Sequence, residues 1–130
     1  MAAEVFISYA RDDTAFAKRL ARGLTREGVS GFHDDADIAA GAPWGDAVRR
    51  ALEASKSLVL VLSKRALDSN YVLAELGAAE ALGKPIIAVK LPDEPLPNPL
   101  PPILDRRHIL RTDGLSEGEI AAKVRRQIAG

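Results

Sequence analysis

The chain contains no cysteine. That absence removes disulfides, thiol nucleophiles and thiolate metal ligands together, and it suits a reducing compartment. Net charge is lacking too, because 18 Lys and Arg balance 18 Asp and Glu. A balanced chain has no electrostatic footprint for nucleic acid or an anionic membrane surface. No apolar run approaches the ~20 residues of a transmembrane helix, and Met1-Ala2-Ala3 is too short to read as a signal peptide. The expectation is a soluble cytoplasmic domain. A Walker-type lysine loop, a Gly-x-Gly-x-x-Gly fingerprint and a Ser/His/Asp order are also missing. The two histidines, His33 and His108, stand isolated and receive no role.

What is present suffices for a single core. A chain of 130 residues with 47% apolar composition reads as one domain, 1–130. Val5-Phe6-Ile7-Ser8-Tyr9 is a short β-prone run without polar alternation before Ser8, the pattern of a strand covered on both faces. Asp12 or Asp13 is placed to cap the next helix, where Phe16, Leu20 and Leu24 form a stripe widened by Ala17 and Ala21. Gly28 ends that helix, and Val29 to His33 reads as a weak second strand interrupted by Gly31. An acidic, turn-rich loop follows from Asp34 to Pro43. Pro43 suits the first turn of a helix running through Trp44, Val48 and Leu52 to Ala54. Leu58 to Leu62 is the third strand and the candidate centre of the sheet.

Ser69 is placed to cap the following helix, with Asp68 putting negative charge beside its N-terminus. Leu73, Leu76 and Ala79 recur at helical spacing and are expected to face the core, with Ala78 and Leu82 close to that stripe. Glu75 comes one turn after Tyr71, so the two are expected to share a face. Helical side chains lean toward the N-terminus, which aims Glu75 at the edge where the preceding strand ends. Gly83-Lys84-Pro85 breaks this pattern, and Ile86 to Val89 makes a fourth strand. Most of the prolines fall between Leu91 and Pro102, which excludes regular structure there. His108-Ile109-Leu110 is the fifth strand. Ser116 and Glu119 have capping-box spacing ahead of a last stripe of Ile120, Val124 and Ile128.

Strand and helix alternate five times, which specifies an α/β fold with a parallel sheet, right-handed crossovers and helices on both faces. Five strands favour the flavodoxin-like order 2-1-3-4-5. Ligands bind such sheets at the topological switch point, here between the first and third strands. Ser8, Tyr9 and Ser63 meet there, with the Glu75 helix starting close by. Ser8 and Tyr9 either line a pocket or simply end a strand. Asp34, Asp35 and Asp37 resemble a metal cluster at first glance. No histidine or further acid is placed to complete one, so they read as solvated carboxylates capping turns, and no metal is expected. A phosphoryl-accepting receiver shares the fold class but needs an aspartate ending the third strand, where Ser63 stands. It also needs an acidic pair directly after the first strand, where Ser8-Tyr9-Ala10-Arg11 intervenes. That reading is set aside.

Val5-Phe6-Ile7-Ser8-Tyr9, Asp34 opening an acidic loop closed by Gly41 and Trp44, Leu60-Val61-Leu62-Ser63, and Ser69 through Glu75 together resemble a Toll/interleukin-1 receptor (TIR) domain. The resemblance spans essentially the whole chain. Phe-Ile-Ser-Tyr alone is a weak signal, whereas four blocks in register are a strong one. The chain is most similar to the bacterial, NAD-consuming kind. Enzymatic members carry a glutamate in the helix after the third strand, and Glu75 matches that position. Many have tryptophan four residues earlier, where this chain has Tyr71, a ring that keeps a stacking surface.

The resemblance implies cleavage of the nicotinamide–ribose bond of NAD, giving nicotinamide and ADP-ribose or a cyclic ADP-ribose. NAD is then the substrate, and no cofactor is expected. Nicotinamide in NAD is already a pyridinium cation and leaves neutral, so one carboxylate suffices where ordinary glycosidases use two. The implied site has Glu75 as catalytic carboxylate, with Ser8, Tyr9, Arg11, Asp34, Trp44, Ser63 and Tyr71 around the dinucleotide. Arg11 is set against the diphosphate or is plainly solvated. Trp44 stacks on a base or anchors its helix, and Asp34 makes a ribose or loop-shaping contact. The family also assembles through the loop matching 34–43, so expected partners are NAD and other TIR domains, in a homo-oligomer. The alternative is a non-enzymatic adaptor in signalling or immune interference, with Glu75 as decoration.

Overall fold

The computed structural model describes residues 4–33, 44–104 and 109–129. The strands β1 (Val5–Ser8), β2 (Gly31–His33), β3 (Ser57–Leu62), β4 (Ile86–Lys90) and β5 (Leu110–Arg111) pair side by side, every pair parallel, in the order β2-β1-β3-β4-β5. The helices are α1 (Thr14–Arg26), α2 (Trp44–Ala54), α3 (Lys64–Leu67), α4 (Asn70–Ala81) and α5 (Glu117–Ala129). A single 3-10 turn, Arg11–Asp13, joins β1 to α1. Ser8 pairs with Leu60, so the C-terminal ends of β1 and β3 lie together at the switch point.

The two-residue period of the strands divides the core into two layers. Val5, Ile7 and Tyr9 pack with Val59, Val61 and Val89 beneath α1 and α5. Phe6 and Ala10 pack with Leu58, Leu60 and Leu62 beneath α2 and α4. All of β3 is buried, as a continuous apolar run in a parallel strand covered on both faces requires. Ser8 has the parity of Phe6, which sends its side chain toward the α4 side. Across the other face, α1 and α5 approach closely at Gly23, where an added Cβ would stand 2.9 Å from the Cβ of Ala121. A glycine inside a helix costs about 1 kcal/mol against alanine, and here it is what admits the neighbouring helix.

Several expected boundaries and faces shift. β2 is confined to Gly31–His33, and β5 is Leu110–Arg111 rather than 108–110. His108, like the whole loop 34–43 with Asp34, Asp35, Asp37 and Pro43, lies outside the described residues. Asp13 occupies the N-cap position of α1 but makes no capping hydrogen bond, because its carboxylate is engaged elsewhere. On α4 the buried stripe is Val72, Glu75, Leu76 and Ala79, whereas Leu73 is 41% exposed. That stripe keeps the i, i+3, i+4, i+7 spacing of a core face. Glu75 forms one border of that stripe, and Leu73 lies beyond the other, past Leu76.

Candidate functional site

A local cap, packing on the sheet and one distant hydrogen bond put Glu75 where it is. Ser69 Oγ accepts from the Val72 N–H at 3.3 Å and starts α4. Val72, Leu76 and Ala79 hold the helix down on the sheet. Glu75, in the second turn, then faces the end of β1, where Ser8 Oγ donates to Glu75 Oε1 at 2.6 Å. Both residues are 0% exposed. A buried carboxylate costs several kcal/mol unless it is hydrogen-bonded. A hydroxyl at this length is of the short, charge-assisted class. A polar pair therefore joins two elements 67 residues apart inside an otherwise apolar layer.

A second polar cluster occupies the same edge of the sheet. Ser63, the residue after β3, donates from Oγ to Asp13 Oδ2 at 2.6 Å and accepts from the Ala66 N–H at 3.0 Å, which caps α3. Arg65 donates to Asp13 Oδ1 from Nε at 3.0 Å and from Nη2 at 2.8 Å, and Nη2 also reaches Glu94. Hydrogen bonds to Glu94 and then Asp13 raise the Arg65 pKa above its already high ordinary value. Lys90, buried at the end of β4, donates from Nζ to the Leu91 carbonyl at 2.8 Å and to the Glu94 carbonyl. Asp113 accepts from the Asp93 N–H at 2.8 Å, and that bond, ahead of the Lys90 charge, holds its carboxyl below the ordinary range. Residues 91–94 are thus pinned beside the ends of β1 and β3.

The residues expected around a ligand are only partly brought together. Ser8 meets Glu75 directly. The donor of the Ser63 hydroxyl is taken by Asp13. Tyr9 is buried in the layer beneath α1 and α5, across the sheet from Glu75, because its parity opposes that of Ser8. Arg11 is exposed in the 3-10 turn. Tyr71, expected to share the face of Glu75, is 64% exposed. At about 100° per residue it lies one step outside Glu75, which borders the buried stripe on that side. Asp34 and the side chain of Trp44 are outside the described residues, although Trp44 opens α2.

Arg65 and Lys90 were not singled out by the sequence, and Asp13 only as a candidate helix cap. The one signal for Lys90 is a charge closing the apolar run Ile86-Ile87-Ala88-Val89. Among the described residues no group of three or more His, Asp or Glu is placed to hold a metal, and no helix is long and apolar enough to cross a membrane. A cavity of about 410 Å³ lies at the opposite edge of the sheet, between Glu80, Lys84, Ile86, Ile103 and Leu104.

A family model described as TIR domain matches residues 5–128. No curated protein matches the chain. Among solved structures, it is similar to the TIR domain of the Toll-related receptor TRR-2 from the lower metazoan Hydra magnipapillata, with TM-score 0.82 and 23% identity over 98% of this chain and 99% of that one. It is also similar to a metazoan TIR-STING receptor from C. gigas in complex with 2',3'-cGAMP, with TM-score 0.75 and 22% identity over 98% of this chain and 40% of that one. A third is the heterodimer of the RPS4 and RRS1 TIR domains, with TM-score 0.65 and 21% identity over 96% and 94% of the two chains. At these identities the likeness is one of fold.

Proposed function

The chain belongs to the TIR domain family, and from that premise we propose that it is an NAD nucleosidase of the bacterial, NAD-consuming kind. It cleaves the bond between nicotinamide and ribose in the cytoplasm, yielding nicotinamide with ADP-ribose or a cyclic ADP-ribose. The observation that carries this reading is a carboxylate set into a core stripe of α4, fully buried and held by Ser8 at the C-terminal edge of the sheet. A glutamate needed only for solubility belongs on the exposed face. This one occupies a place where leucine would cost less.

The chemistry asks little of the protein. As the glycosidic bond breaks, its electron pair goes to the pyridinium nitrogen and nicotinamide leaves neutral. Positive charge grows on the anomeric carbon and the ring oxygen. The Glu75 carboxylate, in a site poor in water, stabilises that charge and accepts hydrogen bonds from the ribose hydroxyls. Water then adds to the anomeric carbon and a proton is released, or a nucleophile of the same molecule closes a ring. Tyr71 offers a stacking surface one turn away, and Arg11 an exposed cation for the diphosphate. Asp34 and Trp44 complete the proposed set.

Glu75 is 0% exposed, so the sugar reaches it only after the atoms above it are displaced. We attribute that displacement to self-association through the 34–43 loop. The test is nicotinamide release by concentrated protein. Loss of one such stabilising group costs ~10²–10³ in rate, so Glu75→Ala is expected to be nearly inactive. Equal turnover by that variant would take Glu75 out of the mechanism. The same burial supports a second reading, in which the Ser8–Glu75 pair is a structural tie in a TIR–TIR adaptor. Self-association without nicotinamide release at any concentration would select it.

A further inference from the structure

We propose that Ser8 is a positioning residue for the Glu75 carboxylate and not a substrate-binding one. The inference rests on the nucleosidase reading and deepens it. A serine hydroxyl has one proton to donate. In this structure that proton is directed at Glu75 Oε1 over 2.6 Å, with both partners sealed from solvent. Neither end of the bond is free to drift. Ser8 is paired to Leu60 in the middle of the sheet, and Glu75 lies between Val72 and Leu76 on a helix packed over the same layer.

Two consequences follow from that geometry. Anchoring Oε1 restricts how the plane of the carboxylate can turn, and so sets the orientation it presents to the ribose. Rotation about the terminal torsion of a glutamate is otherwise broad and nearly unrestricted. The bond also sets how far the carboxylate reaches past the end of β1, and a misplacement of about 1 Å can cost ~10²-fold in rate. Ser8 is thereby required for turnover while making no contact with NAD.

The experiment compares wild type, Ser8→Ala and Ser8→Thr in nicotinamide release over a range of NAD concentration. Thermal melts check that each variant is folded at the assay temperature. The 13C resonance of the Glu75 carboxylate, assigned by its loss in Glu75→Gln, is followed in all three. Expected is a fall in kcat of ~10²-fold for Ser8→Ala with KM unchanged, a displaced carboxylate resonance, and recovery of both in Ser8→Thr, which restores the hydroxyl. A rise in KM at unchanged kcat assigns Ser8 to substrate and overturns the proposal. So does an unmoved resonance, or full activity in Ser8→Ala, and each of these leaves the nucleosidase reading standing. A wild type that releases no nicotinamide sinks that reading itself, and the positioning role falls with it.

Discussion

At the scale of single residues, the consequential feature is where charge is buried and where it is wet. The Asp13 side chain is 3% exposed and its partner Arg65 is 42% exposed. The two ends of this ion pair are therefore unequal. Among the described residues, removing Arg65 leaves the buried carboxylate with the Ser63 hydroxyl alone, and stranding a buried charge costs about 3–5 kcal/mol. Partial satisfaction by Ser63 puts Arg65→Ala at the lower end of that range. Asp13→Asn keeps the size and an acceptor oxygen, and it leaves a cation that water and Glu94 still solvate. Its cost is about 1–2 kcal/mol, that of a weakened hydrogen bond. Urea unfolding should rank Arg65→Ala as the more damaging change. The reverse order would mean that the carboxylate is not the dependent partner. The same inequality explains why Asp13 stood out in the sequence only as a candidate cap. Asp12 and Asp13 look alike as caps, and only the fold shows that one of them bonds 50 residues ahead.

At the scale of elements, the helices show which patterns carry their own explanation. The start of α5 is a complete capping box. Glu119 Oε1 accepts from the Ser116 N–H at 2.9 Å, and Ser116 Oγ accepts from the Glu119 N–H at 3.2 Å. These bonds involve residues three apart, so spacing alone predicts them. The Ser116 backbone donor, and then its hydroxyl, hold the Glu119 carboxyl below the ordinary glutamate range. A carboxyl depressed on folding favours the folded state where it is ionised. Its stabilisation is complete above the ordinary range and fades as pH falls through the lowered value. The stability difference between wild type and Glu119→Gln is thus expected to shrink on acidification, as read from thermal melts across the acid range. A difference that stays constant with pH would show that the glutamate's charge contributes nothing. For α4 the existence and cap of the helix were legible, but its azimuth was not. Leu73 looked like core on hydrophobicity and is 41% exposed, while Glu75, aimed at the sheet edge by its place in the helix, is fully buried there. Packing overturned the Leu73 expectation, and the sheet end supplied the hydroxyl partner that makes the buried Glu75 carboxylate tolerable.

At the scale of the whole molecule, alternating strands and helices determined a parallel α/β architecture, and the switch point located the edge where Ser8 and Glu75 meet. The rest of that edge was illegible. Asp13, Arg65, Lys90, Glu94 and Asp113 are joined by contacts that no local pattern encodes. Tyr9 and Ser8, adjacent in the chain, go to opposite layers by parity alone. This arrangement also bears on when the protein acts. A single domain presents Glu75 at 0% exposure, and a buried group cannot contact a dinucleotide without rearrangement of what covers it. If assembly supplies that rearrangement, the free energy of association is what shifts the domain from sealed to open. A ligand or partner shifts such an equilibrium only by its differential affinity for the two states. Nicotinamide release per domain should then rise with protein concentration, in step with association followed by light scattering. NAD should tighten self-association to the same degree, because coupling between two binding events is reciprocal. A rate per domain that stays flat while the scattering rises would separate access to Glu75 from assembly. The opening would then have to be driven by NAD binding to the single domain.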